Sequence, residues 1–573
     1  MSNRAQSRRW TASIALLVSL AVVSAACGDS KAGNEEGGGG TGEAGDQSDI
    51  TVASGDEKPI EGGRIIYALE AESDGYDPTK SRWAIAGVMV GTTVYDPLAA
   101  FDADYQIQPY LAEDFTHNDD YTEWTIQLRE GVTFHNGQPL TSAEVAQVLT
   151  AHTKSLLTNF TVSFIDQEPG PDGEEGTGDD IAAITTPDPL TVVVKMEQPW
   201  ATFPSILAGQ VGVVPYPTVY DGTNPDGPSE PIGTGPFEQE SWTPDSSWKG
   251  KKFDDYWQED LPYLDEIEYR PVTDTESRGS ALKSGDIQMF HTTEPSQIQE
   301  FRQLAADGEV QLVEDAGEGE ETMVLLNTSK PPFDNENARL ALAYATDKTT
   351  YIETIAPGTE PANGPFAPDS RWYDPAVEEE YPQFDLDKAK EAVEAYEEDT
   401  GGPLVVVLGN TTSTSSRQQS NLLSEMWTAA GIEVETTSTE QAPYINTAIS
   451  GDFEANAWRQ FGEPDPDNGF HWWSGASNLN FSRNKDATVD EALLAGRATE
   501  DVEARKEQYS IVQRQVAVDL PYIWIYHTRW VVAATLNVRG ITNGPLPDGT
   551  PSLPMGSGYS GTHRVAYLWL AGS

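Results

Sequence analysis

Residues 109–149, PYLAEDFTHNDDYTEWTIQLREGVTFHNGQPLTSAEVAQVL, are the most informative stretch of this sequence. Trp124, Ile126 and Leu128 alternate with polar residues, and this period of two predicts a half-buried strand. Gly131 follows at the position where such a strand is expected to end. The first part of the stretch therefore predicts a strand with one face on a core.

The second part of the same stretch predicts a helix. Thr141 stands three residues before Glu144, a spacing that favours a capping box at the start of a helix extending to about Leu157. Two further runs have strand composition: RIIYALE at residues 64–70 and TVVVKM at residues 191–196. The β-branched side chains of the latter predict burial on both of its faces.

The second half of the chain has the pattern of an α/β domain. Residues 403–410 (PLVVVLGN) predict a buried strand, residues 417–431 (RQQSNLLSEMWTAAG) a helix closed by Gly431, and residues 432–439 (IEVETTST) a second strand. Ligand sites of such βαβ units lie outside the carboxyl ends of the strands. Further helices are predicted over residues 335–355 and 385–396.

Length and composition bound the class of protein. A chain of 573 residues is too long for one core and predicts at least two lobes. Its hydrophobic fraction of 38% is sufficient for a globular body. The net charge of −57 disfavours nucleic acids as partners, because their recognition needs clustered Lys and Arg. The single cysteine excludes an intramolecular disulfide.

The N-terminus has the pattern of a secretion signal, residues 1–26, in which arginines precede an apolar run over residues 14–23. The string VSAAC, which ends at Cys27, resembles a lipobox, so we expect Cys27 to carry lipid and to hold the protein at the outer face of the cell membrane. An ordinary cleaved signal with a chance cysteine is the alternative. Residues 27–61 are Gly-rich and acidic and predict a flexible tether.

Enzyme signatures are absent from the sequence. The seven histidines show no HExxH or other metal spacing, and neither a GxSxG elbow nor a P-loop is present. We therefore expect no catalysis, no cofactor and no metal site. Residues 166–181, DQEPGPDGEEGTGDDI, leave two interpretations open: a calcium loop, or a solvated surface turn.

Several blocks of the sequence resemble the extracellular solute-binding proteins of family 5, the peptide- and nickel-binding proteins of ABC importers. The stretch at residues 109–149 carries the strongest resemblance, which extends over about residues 62–540. The other blocks are IGTGPF (232–237), LDEIEYRPVTDTESRGSALKSGDIQM (264–289), LLNTSKPPFDNENARLALAYATDK (325–348), DPDNG (465–469) and LPYIWIYH (520–527).

The resemblance implies an α/β fold: a two-lobed, periplasmic-binding-protein-like clamshell of type II with three subdomains. It implies that the chain crosses between lobes near Glu321 and near Ile523. The expected parts are a first lobe over residues 62–320 with an extra subdomain at about 97–204, a second lobe over residues 321–523, and a return to the first lobe over residues 524–573.

Candidate ligand-binding residues are aromatic or charged and lie in predicted loops facing the cleft. Indole and phenol rings supply rigid contact area, and arginine pairs with carboxylate or phosphate. The resemblance places Trp458 and Arg459 at the ligand and makes Glu463 a candidate partner for a ligand amine. Core packing or a structural ion pair is the alternative for each candidate. The candidates are Tyr76, Trp83, Arg371, Trp372, Trp458, Arg459, Glu463 and Trp472, with His471 and Trp473 adjacent.

The functional hypothesis is capture of a small solute, with peptides the first expectation, by closure of two lobes. The resemblance implies an ABC permease and its ATPase subunits as partners and a monomeric binding protein. A ligand-sensing surface protein of the same fold is the alternative, and a secreted hydrolase is a weaker one.

Overall fold

The computed structural model describes residues 58–81, 83–155, 157–159, 161–165, 183–315, 319–460, 462, 464–556 and 562–572. These residues belong to one compact unit that begins at Gln47. The predicted signal peptide, Cys27, most of the tether, the loop at 166–181 and Glu463 lie outside the described residues.

Twenty-one strands are found in the described part of the chain. They are β1 (Arg64–Leu69), β2 (Ala99–Phe101), β3 (Ile107–Pro109), β4 (Ala112–His117), β5 (Glu123–Leu128), β6 (Ile184–Asp188), β7 (Thr191–Lys195), β8 (Phe237–Thr243), β9 (Ser247–Lys252), β10 (Glu266–Pro271), β11 (Met289–Thr292), β12 (Gln311–Glu314), β13 (Glu320–Leu326), β14 (Glu360–Pro361), β15 (Val405–Thr411), β16 (Glu433–Thr439), β17 (Ala455–Gln460), β18 (Tyr522–Thr528), β19 (Val531–Ala534), β20 (Val538–Arg539) and β21 (Trp569–Leu570).

Fourteen α-helices accompany them over the same residues. They are α1 (Ile85–Val94), α2 (Ser142–Thr153), α3 (Phe203–Ile206), α4 (Thr275–Ser284), α5 (Pro295–Ala306), α6 (Glu336–Ala345), α7 (Lys348–Ile355), α8 (Val377–Glu380), α9 (Leu386–Thr400), α10 (Thr414–Ala429), α11 (Gln441–Ser450), α12 (Phe470–Trp473), α13 (Ala487–Arg497) and α14 (Val502–Asp519). Among these, no helix has both the length and the apolar character needed to cross a membrane.

A seven-stranded mixed sheet forms the centre of the first lobe, in the order β12-β19-β11-β1-β10-β9-β8. Strand β1 pairs in parallel with β10 and β11, and its side chains enter a core on each face. Burial on both faces explains the continuous apolar run of RIIYAL. Strand β19 comes from the C-terminal part of the chain and completes this sheet.

A smaller antiparallel sheet, β4-β5-β7-β6, forms the extra subdomain of the first lobe. The predicted strand is confirmed as β5, with Trp124, Ile126 and Leu128 buried against α2. The predicted burial of both faces of β7 is wrong: Val192 and Val194 are buried, whereas Val193 is only partly covered. The reason is that the core lies on one face of this sheet only.

The capping box is confirmed at the start of α2, although the helix ends at Thr153, before the predicted Leu157. The Thr141 side chain accepts a hydrogen bond from the Ala143 backbone N–H, and Glu144 accepts one from the Thr141 N–H at 3.0 Å.

We expect Thr141→Ala to lower the free energy of unfolding by about 1 kcal/mol. Thr354→Ala is the control, because that exposed hydroxyl bonds back to the Thr350 carbonyl within α7. If urea denaturation showed the same loss of unfolding free energy for both variants, a specific capping role of Thr141 would be contradicted.

A six-stranded sheet forms the centre of the second lobe, in the order β14-β18-β13-β17-β15-β16. The predicted βαβ unit is confirmed: β15 and β16 are parallel and α10 connects them. Gly431, with φ of +95°, follows the end of α10. The helix expected over residues 335–355 is interrupted at Thr346 and Asp347, which separate α6 from α7.

The chain passes between the lobes at two places. The first passage lies between β12 of the seven-stranded sheet and β13 of the six-stranded sheet. The second lies between β18 and β19, so the crossing expected near Ile523 falls inside β18. The described residues therefore form two lobes joined by two short connections, one of which precedes β13 and the other follows β18.

Candidate functional site

A cavity that opens to solvent lies against one face of the six-stranded sheet, with about 600 Å³ of empty space when the part open to solvent is included. Backbone pairing aligns Met323 of β13 with Trp458 of β17 and Trp524 of β18, and side chains of paired residues share a face. We call this space the aromatic cavity. The residues that line it are Glu321, Met323, Leu325, Pro365, Phe366, Trp458, Gln460, Gly462, Pro466, Gly469, Trp472, Trp473, Phe481, Tyr522 and Trp524.

Edge-to-face ring contacts hold the aromatic wall in place. The Phe481 ring lies 5.6 Å from that of Trp458 and 5.4 Å from that of Trp472, both in T-shaped geometry. Trp473 packs against Phe366 in the same way, at 6.1 Å. Such pairs add about 0.5–1.5 kcal/mol to burial, so they stabilise this arrangement of the rings.

A glycine makes room for one of these rings. A Cβ at Gly469 would lie 2.9 Å from the indole of Trp473, closer than side-chain carbons approach one another. Gly469 belongs to the DPDNG block and directly precedes α12, which carries Trp472 and Trp473. The block therefore positions two walls of the aromatic cavity.

Few polar groups line the aromatic cavity. Glu321 carries the one ionisable carboxyl group among the lining residues that the structure describes. The Gln460 Nε2 and the Trp524 Nε1 are buried donors that have no hydrogen-bond partner within the described part of the chain. Buried donors are normally satisfied, so these two are candidates for contact with a ligand acceptor.

Arg459 does not line the cavity, because neighbouring residues of a strand point to opposite faces. Its Nε lies 3.1 Å from Glu320 Oε1, and its Nη1 donates to Thr293 Oγ1 at 2.6 Å. The nearby Glu320 carboxylate raises the pKa of Arg459. The Trp530 indole donates to the other oxygen of Glu320 at 2.8 Å. Arg459 thus joins the second lobe to Thr293 of the first.

Arg371 and Trp372 lie away from the cavity lining. Arg371 donates to the backbone oxygen of Tyr105, at 3.3 Å, and its guanidinium stacks on the Trp372 ring. Trp372 is buried, and its indole donates to the Pro464 carbonyl. The guanidinium of Arg505 also lies over the Trp372 ring. Arg371 therefore makes a contact between the lobes, and Trp372 belongs to the hydrophobic core of the second lobe.

Tyr76 and Trp83 are found in the core of the first lobe, and neither lines the aromatic cavity. Tyr76 packs against Trp242 at 5.0 Å, and the Trp83 indole donates to the Gly75 carbonyl at 3.0 Å. Both side chains are nearly inaccessible. Of the eight candidates, the structure brings Trp458 and Trp472 together at one cavity; Glu463 lies outside the described residues.

His471 neighbours the cavity without lining it. Its ring lies 4.3 Å from that of Trp472, and burial lowers the pKa of His471 to about 3. The side chain is therefore neutral at physiological pH and supplies no positive charge to the cavity. No cluster of metal-ligating side chains occurs within the described ranges.

Buried ion pairs hold the DPDNG block between the lobes. Asp467 accepts hydrogen bonds from Trp200 Nε1 at 2.8 Å and Thr202 Oγ1 at 2.6 Å, both from the first lobe. Arg497 of the second lobe donates to its other oxygen at 2.8 Å. Ser205 makes a similar contact with Asn468 at 2.7 Å. One buried carboxylate therefore joins the two lobes beside the cavity.

Sequence reasoning did not identify Glu321, Tyr522 or Trp524 as cavity residues. A signal was present, because Tyr522 and Trp524 alternate with Ile523 and Ile525 in β18. Strand β18 is buried on both faces, so its sequence pattern is that of a strand inside a hydrophobic core. Only the pairing of β13 with β17 and β18 shows which face borders open space.

Comparisons with known proteins identify the family. Residues 106–481 match the model of the bacterial extracellular solute-binding proteins, family 5 middle domain. The glutathione-binding protein GsiB of Salmonella paratyphi A is 29% identical over 324 residues, 54% of this chain and 59% of that protein. GsiB of Escherichia coli is 27% identical over 307 residues, 53% of this chain and 56% of its own length. The matched region thus spans less than two thirds of these relatives.

Solved structures show the same fold. The binding protein AgaA of A. tumefaciens, in complex with agropinic acid, has a TM-score of 0.73 and 26% identity, covering 86% of this chain and 96% of that one. The oligopeptide-binding protein AppA of Bacillus subtilis, in complex with a nonapeptide, has a TM-score of 0.73 and 20% identity. The similarity covers 90% of this chain and 100% of AppA. These similarities confirm the expected two-lobed binding-protein fold. The family match confirms a binding role rather than an enzymatic one. The chain belongs to the bacterial extracellular solute-binding proteins of family 5.

Proposed function

We propose that this protein is the solute-binding component of an ABC importer and that it captures a small organic solute in the aromatic cavity. The observation that carries the proposal is the preformed, mostly apolar cavity beside the contact between the lobes. Concave, mostly apolar spaces with a few polar groups are typical of small-molecule sites. The solute would be delivered unchanged to a membrane permease.

The similar proteins suggest which solutes to test first. GsiB is a glutathione-binding protein, and the structures of AgaA and AppA contain agropinic acid and a nonapeptide, respectively. Two of these three ligands are peptides or contain peptide bonds. Short peptide-like compounds are therefore the first class to screen.

We propose that the lobes move about the two passages between β12 and β13 and between β18 and β19, with boundaries near those expected from the sequence. The contacts Asp467 to Thr202 and Arg459 to Thr293 would form in the closed state. A solute that binds the closed state more tightly shifts the population towards it. A monomer is sufficient for this mechanism.

We further propose that Cys27 carries lipid and places the protein outside the cell membrane, on the tether of residues 27–61. The support is the VSAAC string after an apolar run. Cys27→Ser is expected to release the protein into the medium in cell fractionation. Membrane retention of that variant would contradict the anchor and leave solute binding untouched.

Replacing Trp458 by alanine is expected to weaken solute binding by at least about 30-fold, since truncating a central aromatic contact costs 2 kcal/mol or more. Solutes would first be found by mass spectrometry of material that co-purifies with the protein, and by thermal shift, because a ligand stabilises the folded state. Titration calorimetry of wild type and variant then gives both affinities.

Trp242→Ala is the matched control, since this tryptophan is also partly exposed but lies on edge strand β8 of the first lobe. The Trp242→Ala variant is expected to bind the solute with wild-type affinity. Circular dichroism checks that both variants fold. Unchanged binding by Trp458→Ala would contradict the proposed cavity. Turnover of the solute during incubation would contradict the proposed function itself.

A further inference from the structure

A lysine contacts the wall of the aromatic cavity from outside, without lining the cavity. Lys348 is the first residue of α7, and its partly exposed side chain donates hydrogen bonds through Nζ to the Ala362 carbonyl and to Asn363 Oδ1. Lysine side chains are mostly exposed, so an amine held by two oxygens of the protein is unusual. This amine attaches residues 362–366, which we call the cavity loop, to the start of α7.

The cavity loop supplies one wall of the aromatic cavity. Pro365 and Phe366 both line the cavity, and the Phe366 ring packs edge-to-face on Trp473 at 6.1 Å. The Ala362 N–H donates to the Ile525 carbonyl at 3.1 Å, which places the first residue of the loop beside β18. The position of this aromatic pair therefore depends on how the start of the loop is held.

A second contact of Lys348 leads to another wall. Its Nζ lies 4.0 Å from the centroid of the Tyr381 ring, within the range of a cation–π interaction. Tyr381 is buried, and its hydroxyl accepts a hydrogen bond from the Trp524 backbone N–H at 3.1 Å. Trp524 lines the cavity. One amine is thus connected to two walls, to one through the cavity loop and to the other through Tyr381.

An exposed carboxylate orients the amide that Lys348 contacts. Glu378 of α8 accepts a hydrogen bond from Asn363 Nδ2 on one oxygen and from the Tyr373 hydroxyl, at 2.7 Å, on the other. Because the Asn363 NH₂ group faces this carboxylate, its oxygen is directed at the lysine amine. Lys348, Asn363 and Glu378 therefore hold the buried start of the cavity loop between α7 and α8.

From these contacts we propose that Lys348 is a positioning residue for solute capture, which keeps the cavity loop and Trp524 in their relative places without touching the solute. The inference rests on the proposed solute-binding function and adds a residue that acts through the cavity wall. Lysine suits this role because an ammonium group donates up to three hydrogen bonds and its charge attracts an aromatic face. An apolar side chain of similar length would satisfy neither oxygen.

The positioning is expected to depend on pH. Burial lowers the pKa of Lys348 to about 7, with Glu378 acting in the opposite direction. Once the amine is neutral, its hydrogen bonds lose their charge assistance and its attraction to the Tyr381 ring is lost. The two walls are then held less firmly, so we expect solute affinity to fall as the pH rises through this value.

Other ionisable groups lie on the elements around this amine. Burial lowers the pKa of His527 to about 3. Burial raises the pKa values of Tyr351, Tyr381 and Tyr526, so none of these four groups changes its charge near pH 7. A transition near pH 7 that is lost with the Lys348 amine therefore belongs to that amine. The surrounding groups of fixed sign are Glu378 of α8, Glu360 of β14, Asp347 and Glu353 at and within α7, and Arg417 and Glu425 of α10.

Fluorine NMR of the protein labelled with 5-fluorotryptophan tests this role without any solute. The signals of Trp473 and Trp524 are assigned by replacing each with phenylalanine in turn. In the wild type we expect both signals to shift with a midpoint near pH 7. In Lys348→Met we expect both signals to be displaced and to lack this transition. Lys330→Met is the control and should keep the wild-type signals, because this partly exposed lysine of the second lobe donates to the Gly451 carbonyl at 3.2 Å.

Two milder variants separate the two connections. Tyr381→Phe keeps the ring and removes the hydroxyl, so it should displace the Trp524 signal and leave that of Trp473. Asn363→Leu removes the acceptor on the cavity loop and should displace the Trp473 signal.

Wild-type signals with an unchanged transition in Lys348→Met would overturn the positioning role. If that variant does not fold by circular dichroism, wild-type signals in both milder variants would overturn it equally. Because these signals need no solute, failure of the positioning role is distinguishable from failure of solute capture, which calorimetry measures.

Discussion

Replacement of Asp467 by asparagine is expected to lower the free energy of unfolding by about 3–5 kcal/mol, because it leaves a buried arginine without its counter-charge. The Arg497 side chain is 3% exposed and Asp467 is fully buried. The guanidinium is enclosed by the rings of Phe470, at 3.8 Å, and Trp200, at 4.3 Å. Water therefore cannot replace the lost carboxylate.

The asparagine also loses contacts between the lobes. Trp200 and Thr202 donate to one oxygen of Asp467 and Arg497 donates to the other. The amide oxygen of asparagine can accept on one of these sides only, and its NH₂ then faces donors on the other side. We expect the affinity for solute to fall together with stability, because the closed arrangement of the lobes is weakened. Urea denaturation and titration calorimetry measure the two effects.

Two further variants separate the causes. Glu503→Gln removes an exposed ion pair with Lys506 on α14 and should change stability by less than about 0.5 kcal/mol. Trp200→Phe removes one hydrogen bond to Asp467 together with part of a buried ring, and should cost at least about 1–2 kcal/mol. If Asp467→Asn were as stable as Glu503→Gln, the buried pair would have no role in holding the lobes together.

Acidification is expected to destabilise the protein between pH 6.5 and about 4, because several histidines are buried in the neutral form. Burial lowers the pKa of His152 and of His563 to about 4, and that of His527 to about 3, where Lys348 adds repulsion. The unfolded chain binds these protons near pH 6.5. The stability that the neutral histidines contribute is thus complete above pH 6.5 and is lost as the pH falls towards the folded pKa.

Each such histidine accounts for a loss on the order of 3 kcal/mol by pH 4. His135 and His471, whose pKa values burial also lowers, act in the same direction. Asp96 acts in the opposite direction, since burial raises its pKa to about 7 and the folded state then holds that proton more tightly. The net expectation is a loss of several kcal/mol across this interval.

Urea denaturation at each half unit of pH from 7.5 to 4.5 measures this dependence. His152→Gln should reduce the number of protons taken up on unfolding by about one between pH 6 and 5. A stability that stays constant down to pH 5 would show that the buried histidines do not titrate as described.

Local sequence patterns predicted the elements whose signals are local. The capping pair Thr141 and Glu144, the alternation in β5 and the βαβ unit around α10 were each read correctly. Each signal depends on residues within about thirty positions of one another, so no tertiary information was required. Resemblance to family 5, spread over most of the chain, then supplied the arrangement of the lobes.

The site was harder to predict because it depends on which face of a strand borders open space. Tyr76 and Trp83 have the same residue types as the cavity lining, yet they pack into the first core. Arg459 is adjacent to Trp458 in sequence and lies on the other face of β17. Val193 shows the same limit, since composition alone does not reveal whether a second layer covers a sheet.

Small-angle X-ray scattering with and without saturating solute tests most directly whether the lobes close around the aromatic cavity. We predict a smaller radius of gyration with solute, a change that Trp458→Ala lacks at the same solute concentration. An unchanged radius of gyration, at a concentration where calorimetry shows one solute bound per chain, would contradict closure as the mechanism of capture.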